Sequence, residues 1–441
     1  MKITGFLRRT FWLRLAFTAV AILIIFKLNP SFAHSTSSSI KPPTYLTPTT
    51  TIIGHSDANQ AAKFTFTALT DAANNFTDVG SIALNNQGVV AFSTAKEASG
   101  ITGIYTTDGQ AIRTIADIDT LPSLFTDIQP DPGATSITIS NFLFDGNNLA
   151  INNAGNVLFS VTANIQYQPG TSTYSPNAYK RLFLSQGDTI QSVDSRSDIN
   201  SDSLAITNTY TAVGVNDSGQ IVYSEQNQTR SSRIFTFSQI VLDKRTIDQG
   251  SIPPAGAPSQ VSFPVINNQG TVFYNKSGYF GDAGSYINNI FRLGSEDSTP
   301  VAVSDQIQSV NSLAANDQEN IVFSGSLTSR ETGLFRIDNG VITKVNDLFG
   351  NAKINNLGKI AFQPSQSGAG IFITSGADIN KVIAPGDSLL GSTVADIKFG
   401  GLNDAGEIAF VASLTDGTKK IFRADPIRKP HSKHDKIEKQ A

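Results

Sequence analysis

One short phrase returns seven times in this chain: two Asn or Asp residues, two further residues, then a hydrophobic strand. It reads ALNNQGVVAF at Ala83–Phe92, AINNAGNVLF at Ala150–Phe159, GVNDSGQIVY at Gly214–Tyr223 and VINNQGTVFY at Val265–Tyr274. It continues as AANDQENIVF at Ala314–Phe323, KINNLGKIAF at Lys353–Phe362 and GLNDAGEIAF at Gly401–Phe410. Such self-similarity marks a repeat architecture, in which no unit buries its apolar face alone. The first Asn of each phrase falls at 85, 152, 216, 267, 316, 355 and 403, so the steps are 67, 64, 51, 49, 39 and 48 residues. A four-stranded propeller blade takes about 40–50 residues, so the long steps carry loop insertions.

Each repeat decomposes alike. In the last, Phe399–Leu402 is a short strand, 403–406 a tight turn, and 407–414 a second strand with Ile408, Phe410 and Ala412 on one side. That alternation is the period of a half-buried strand, with outward partners between the apolar residues. A third strand recurs as GIY at 103–105, RLF at 181–183, RIF at 233–235, NIFR at 289–292, GLFR at 333–336 and GIF at 370–372. A fourth follows in most repeats. The seventh repeat stops after its third strand, and KFTFTAL at Lys63–Leu69 resembles a missing fourth. An open row of such sheets would expose its edges, whereas closure into a ring hides them. The expected fold is therefore all-β, a seven-bladed β-propeller of four-stranded antiparallel blades. Its last blade is closed by the N-terminal strand at Lys63–Leu69.

The phrase has the chemistry of a hairpin turn. The turn residues are Asn85 and Gly88, Asn152 and Gly155, Asn216 and Gly219, Asn267 and Gly270, Asn316, Asn355 and Gly358, and Asn403 and Gly406. Gly is cheapest at the left-handed position. Asn or Asp at the start accepts hydrogen bonds from backbone N–H groups just ahead. The fifth repeat has Glu319 where the others have Gly. A Glu in left-handed conformation is strained by about 1 kcal/mol. Either Asn320 takes that conformation by a one-residue shift or the hairpin opens. If Glu319 is strained, Glu319→Gly stabilises the protein.

With these residues in view, the chain resembles the bacterial extracellular tandem-repeat proteins with an Asn-x-x-Gly-x-x-Ala-Phe signature. Repeats one, six and seven match it outright, and repeats two, three and four keep Asn and Gly. Gly187-Asp188 and Gly386-Asp387 are similar to a further feature of that class. The resemblance covers about residues 60–425. It implies an exported propeller and nothing about a substrate.

The ends of the chain differ from its body. Residues 1–33 carry Lys2, Arg8, Arg9 and Arg14, then an apolar stretch at 15–26, then Lys27 and the small residues Ser31 and Ala33. That is the layout of a signal peptide cleaved after Ala33. An uncleaved anchor is the alternative. Residues 34–59 read as a Ser/Thr/Pro-rich linker. Residues 60–425 form the propeller and 426–441 a basic, disordered tail. The net charge of −3 conceals a body of −11 between a leader of +5 and a tail of +3. A body that acidic repels phosphate backbones, which argues against a nucleic-acid partner. The expected setting is extracytoplasmic, with a protein or glycan partner. The membrane would be touched only through an uncleaved leader.

Chemistry is sparse. There is no Cys, so thiolate nucleophiles, disulfides and thiolate metal sites are excluded. Only His55 adjoins the repeats, while His431 and His434 lie in the tail. A catalytic triad or zinc site within the ring would lack its His. Asp198-x-Asn200-x-Asp202 imitates a calcium loop, but Ser203 stands at position six and no Glu closes it. No cofactor and no metal are expected. The Asn-Asp-x-Gly-x-x-x-Phe phrase resembles the Asp-box of sialidase propellers, without its Ser or Trp. Paired carboxylates for glycoside cleavage are not excluded by composition.

Function in a symmetric array belongs where the symmetry breaks. Two residues before the first Asn stand Ala83, Ala150, Gly214, Val265, Ala314 and Gly401, but Lys353 in the sixth repeat. On an inner strand this puts a charge in the central channel. The bland alternative is a strand-end Lys reaching bulk water. The second repeat carries an insertion between its second and third strands, with Tyr167, Tyr174 and Tyr179 among Pro, Gly, Ser and Thr. The loops 117–135 and 194–204 are also long, and binding residues concentrate on such loops. The expected function is a non-catalytic binding or interaction module using the long-loop face and channel mouth. A carbohydrate-active hydrolase or lyase and an envelope structural protein are the alternatives.

Overall fold

A computed structural model describes residues 45–46, 64–71, 76–96, 102–127, 136–168, 177–194, 209–226, 232–238, 241–249, 260–280, 285–293, 298–301, 306–375 and 378–427. The chain divides into two units, 1–39 and 40–441, and every described residue belongs to the second. The proposed leader, most of the linker and the tail beyond Ile427 lie outside the described residues, while Pro426, expected to open the tail, ends a strand.

The second unit is all-β, and its described strands form seven antiparallel sheets. Apart from a strand added at the edge of the first, each sheet but the last is one contiguous stretch of chain, running from an innermost to an outermost strand. The first sheet holds Phe76–Leu84, Val90–Lys96, Gly103–Thr107 and Ile112–Asp117. The second holds Ser136–Ile151, Val157–Gln168, Asn177–Gln186 and Thr189–Asp194. The third begins at Thr209–Val215, the fourth at Gln260–Ile266, the fifth at Ile307–Ala315 and the sixth at Gly350–Ile354. The seventh joins both ends of the array. Ser392–Leu402, Ile408–Leu414 and Lys419–Pro426 pair in order, and Phe64–Ala68 adds to the last of them. Tyr45–Leu46, placed in the linker by sequence, instead pairs with Ile112 and Arg113 as a fifth strand of the first sheet.

Period-2 alternation does not give these strands one wet face. Ile408, Phe410 and Ala412 pack with Ile371 and Ile373 of the sixth sheet. Ala409 and Val411, expected to face outward, pack instead with Val90 and Phe92 of the first. The same division recurs around the array. Separate apolar clusters join sheets one and two, two and three, three and four, four and five, and five and six. Seven clusters therefore serve seven junctions, and the junction between sheets seven and one closes the circuit. This is a propeller arrangement, with the second strand of each sheet sandwiched on both sides.

The aromatic residue ending each phrase sits in these junctions. Phe410 lies directly opposite Phe422 in register, with ring centroids 5.5 Å apart. Phe92 and Tyr105, Phe159 and Phe183, Phe323 and Phe335, and Phe362 and Phe372 repeat that stacked pair at 5.3–5.7 Å. Cross-strand aromatic pairs of this kind are stabilising beyond the area they bury.

The innermost strands are tied by a second device. The first Asn of each phrase is 2–5% exposed. Its Oδ1 accepts backbone N–H bonds from its own turn, as expected; Asn85 Oδ1 takes those of Gln87 and Val89 at 3.0 and 2.9 Å. Its Nδ2 does something the turn does not need. Asn85 donates to the carbonyl of Asn152, Asn152 to that of Asn216, and Asn216 to that of Asn267. Asn267 donates to Asn316, Asn316 to Asn355, Asn355 to Asn403, and Asn403 back to Asn85. These seven bonds, 2.9–3.4 Å long, form a closed loop. An Asp would satisfy the turn equally well but has no N–H to pass to the next sheet.

Substituting Asn355→Asp separates the two roles. It retains the turn acceptor, leaves the Asn403 carbonyl without its side-chain donor and places a carboxylate beside it. The expected loss is about 3 kcal/mol in chemical denaturation. An unchanged midpoint would show that the residue serves its own turn alone.

Candidate ligand-binding surface

Because the seven phrases are turns between first and second strands, they gather at one end of the ring. The second residue of each builds a further loop there. The backbone N–H of Asn86 donates to Oδ1 of Asn153 at 2.7 Å, and that of Asn153 to Oδ1 of Asp217 at 2.9 Å. The relay continues through Asn268, Asp317, Asn356 and Asp404 and returns to Asn86. Asn and Asp alternate in this order, apart from the Asn86–Asn153 step that an odd number requires. No two carboxylates are neighbours. Each instead accepts from a flanking Asn: Asp217 from Asn153 at 2.7 Å, Asp317 from Asn356 at 2.7 Å and Asp404 from Asn86 at 2.6 Å. This end of the ring thus presents three hydrogen-bonded carboxylates.

Glu319 keeps the hairpin intact without any shift. It adopts φ +62° itself, left-handed like the six turn glycines at +73° to +83°, and its N–H reaches the Asn316 carbonyl at 3.1 Å. Neither alternative drawn from sequence occurs. The reason lies in the neighbouring sheet. Arg336 and Arg423, at the end of their third-strand phrases, donate to the turn carbonyls of Gly358 and Gly88 in the next sheet at 3.1 and 3.0 Å. Arg292 holds the same place, and its Nε and Nη2 donate to the Glu319 carboxylate at 2.9 and 2.7 Å. Thr271 adds a bond at 3.2 Å. The Arg292 guanidinium holds the Glu319 carboxyl below the ordinary value of 4.5. The side chain that strains the turn also staples it to sheet four.

Lys353 lies on the innermost strand of sheet six, opposite Ala361. Its side chain reaches solvent. Even so, surrounding protein pushes its ammonium below the ordinary Lys value, and loss of hydration is the sole cause. The residue stands on the inner strand beside the Asn355 turn, with the inner strands of its neighbours around it. Among the described residues no hydrogen bond or ion pair reaches it.

A second cation that sequence reading passed over lies nearby. Asn351 is in register with Gln363, whose amide clasps the Ile397 carbonyl and the Phe399 N–H at 2.8 and 2.9 Å. Lys398 stands between those two, and so lies level with Asn351. That is two residues, about 7 Å, farther from the Asn loop than Lys353. Lys398 Nζ donates to the Gly80 carbonyl of sheet one at 2.6 Å. Burial and the Lys419 charge lower its pKa, against an opposing pull from Asp78. The signal missed was a Lys at a mid-strand position rather than beside the phrase.

The other candidates are dispersed. Tyr167 and Tyr179, expected in a loop, belong to the long strands Val157–Gln168 and Asn177–Gln186, opposite Ile137 and Ala163 in register. Tyr174 lies outside the described residues. Sheets two and six are not neighbours, so the tyrosines and Lys353 are not brought together. The described part of the 117–135 loop is structural. It forms the short 3-10 helix Leu121–Phe125, whose Leu121 and Phe125 are fully buried, and Asp127 pairs with the buried Arg181 at 2.6 Å. The sequence Phe-Thr-Asp occurs before both the first and the second phrase, at 76–78 and 125–127, yet Phe76 begins a strand and Phe125 ends that helix. The Gly-Asp pairs differ too: Asp188 pairs with the exposed side of Arg113, whereas Asp387 is buried against Lys381 and the Ala384 N–H. Residues 198–202 and the histidines lie outside the described residues. Among the described residues no group of three potential metal ligands occurs.

No known protein family matches this sequence, and no curated protein does. Similar solved structures include a Mycobacterium tuberculosis puromycin-hydrolyzing peptidase, at 8% identity and TM-score 0.42, with 82% of this chain and 61% of that chain covered. The polysaccharide lyase Uly1 has 8% identity and TM-score 0.44, with 84% of this chain and 94% of the lyase covered. YCF48 from Cyanidioschyzon merolae has 10% identity and TM-score 0.38, with 81% and 98% covered. This chain spans 61% of the first peptidase and 51% of a prolyl endopeptidase.

Two expectations follow from the charged groups. Glu319→Gly relieves about 1 kcal/mol of strain and loses a half-exposed ion pair of similar size, so its melting temperature stays near that of the parent. Glu319→Ala keeps the strain, loses the pair and falls by about 1 kcal/mol. The Glu319 pKa is lower folded than unfolded, so the pair stabilises above the ordinary value of 4.5 and is lost as pH falls through the depressed value. The gap between parent and Arg292→Ala should close over that fall; a constant gap would contradict the pairing. Lys353 has the opposite sign: its lowered pKa makes folding less favourable while it is protonated. Lys353→Met should raise stability at neutral pH, by no more than about 1 kcal/mol because the side chain still reaches water. A lower melting temperature would contradict the enclosed, unpaired ammonium.

Proposed function

We propose that the seven sheets are the blades of a seven-bladed propeller, exported by the N-terminal leader, that binds a partner outside the cytoplasm without catalysing a reaction. The observation that carries this reading is the asymmetry between the ends of the ring. At the Asn end, side-chain hydrogen bonds engage every turn. At the other end sheet two overhangs the rest. Its first hairpin stays paired from Ile151 and Val157 out to Ser136 and Gln168, across two register shifts, and its third strand follows to Asn177. The corresponding second strands of sheets three, five and six run only Ile221–Gln226, Ile321–Leu327 and Ile360–Pro364. An edge carried past its neighbours, beyond the junction core that Ala163 and Ile139 still join, supplies a surface on which a protein or glycan can be held.

The test immobilises the purified protein and screens it against a glycan array and an extract of the source cell envelope. A second sample has residues 165–177 replaced by a two-residue turn. Retention by the parent and loss by the shortened protein are expected, with equal melting temperatures. Equal retention by both would overturn the assignment of the binding face. Turnover of a retained glycan into cleaved products would overturn the non-catalytic reading.

A further inference from the structure

We infer that residues 428–441, the basic segment after Ile427, fold back over the Asn end of sheets five to seven and cover an apolar patch there. This goes beyond the binding reading above, because it concerns the face away from the overhanging hairpin.

The patch is the first observation. Six large apolar side chains are exposed among the described residues, and four of them, Val341, Leu357, Ile379 and Ile427, fall on this stretch of the ring. Leu357, 71% exposed, belongs to the sixth phrase, at a place where the other phrases have Gln, Ala or Ser. Antiparallel pairing puts the turns between third and fourth strands at the same end as the phrases. Val341 and Ile379 stand just after two such turns, at the start of the fourth strands of sheets five and six. Ile427 follows the third strand of sheet seven, so it emerges at that end too. Exposed apolar residues gathered in one place, rather than scattered singly, mark a surface that something covers.

The chain itself points to the occupant. Residues 428–441 depart from Ile427, one of the four. Gly406, in the turn of sheet seven, lies between that exit and sheet six: a Cβ added to it would stand 3.5 Å from Pro426 and 3.8 Å from Lys359 Nζ. So short a tether gives the segment a local concentration of about millimolar, and modest contacts are enough to seat it. The charges are complementary. Around these turns Arg292, Arg336 and Arg423 are each matched by a carboxylate, Glu319, Asp338 and Asp425, at 2.6–2.7 Å. Asp317, Asp378, Asp404 and Glu407 then outnumber Lys359, the remaining cation at the described turns of these three sheets. Residues 428–441 carry Arg428, Lys429, Lys433, Lys436 and Lys439 against Asp435 and Glu438. Long basic side chains suit a surface that is apolar and acidic together. Their methylene stems cover Leu357 and Val341 while their charged heads reach the carboxylates. Seated there, the segment covers part of the Asn end and leaves the opposite face, with its overhang, open.

The experiment measures the distance between nitroxide labels at Gln318→Cys, on the fifth turn, and Gln440→Cys, by pulsed electron resonance on the full chain, which has no Cys of its own. A segment free in solution from Ile427 to residue 440 would range about 20 Å from its exit in every direction, giving a broad distribution. A narrow distribution is expected at low salt, surviving dilution with unlabelled protein. It should broaden at about 1 M salt, where the screening length falls to about 3 Å. Leu357→Lys should broaden it at low salt in the same way, with an unchanged melting temperature, and so should Gln in place of the five cations of the segment. A distribution already broad at low salt, or a narrow one that ignores both changes, would overturn the inference. A narrow distance lost on dilution, or a dimer in sedimentation that Leu357→Lys dissolves, would assign the patch to a second copy and overturn it too.

Discussion

Every sheet in this protein is apolar on both faces, and the rest of the fold follows from that. A sheet with two apolar faces cannot end a stack without exposing one of them to water, at a cost of about 25 cal/mol for each Å² left uncovered. A ring leaves no last sheet. The clusters around Phe410 and Phe92 cover the two faces of the seventh sheet, the second of them closing the ring, and that sheet is completed by an edge strand, Phe64–Ala68, taken from the beginning of the array and paired with its end. Apolar burial favours closure without setting its geometry. The Asn side chains add direction. Each donates to the next sheet's turn, so a sheet in the wrong place leaves a buried amide and a buried carbonyl unmatched.

Much of this was legible in the sequence, for identifiable reasons. The strands, their turns and the N-terminal closing strand follow from period-2 alternation, from Gly at the left-handed turn position and from an odd strand left over at each end. What alternation could not reveal was that the residues between Ile408, Phe410 and Ala412 are buried as well. Ala409 and Val411 are small and apolar, which fits a second buried face, but a half-buried strand can carry them too. The dual role of the first Asn was present as a pattern. It is Asn in all seven phrases, whereas the next residue is Asn in four and Asp in three. A turn accepts either, so strict Asn pointed to a donor. Reading the two positions as equivalent turn formers hid that difference. Glu319 was misjudged because its compensation comes from Arg292, 27 residues earlier and on another sheet. No local rule reaches that far.

The functional residues were harder to read, for a related reason. Repeats make departures visible, and Lys353 stood out against six small or apolar counterparts. Lys398 did not, since its position lies before the aligned phrase and varies in every repeat. The tyrosines looked like loop residues because Pro, Gly and Ser surround them, yet Tyr167 and Tyr179 continue strands that simply run longer than their neighbours. What emerges is a molecule with unlike ends. One is a closed lattice of amides and carboxylates, and the other carries the overhanging hairpin. The same asymmetry that stabilises one face leaves the other free to vary in strand length and charge.

The account depends on seven Asn side chains each passing an N–H to the next sheet around a closed circuit. Hydrogen exchange of the Asn side-chain amides, followed by NMR on protein labelled with ¹⁵N at asparagine, tests this directly. Seven slowly exchanging side-chain amides, lost in step with global unfolding, are the expected result. Rapid exchange of those seven amides, at the rate of exposed asparagines in the same protein, would contradict the closed circuit and the architecture built on it.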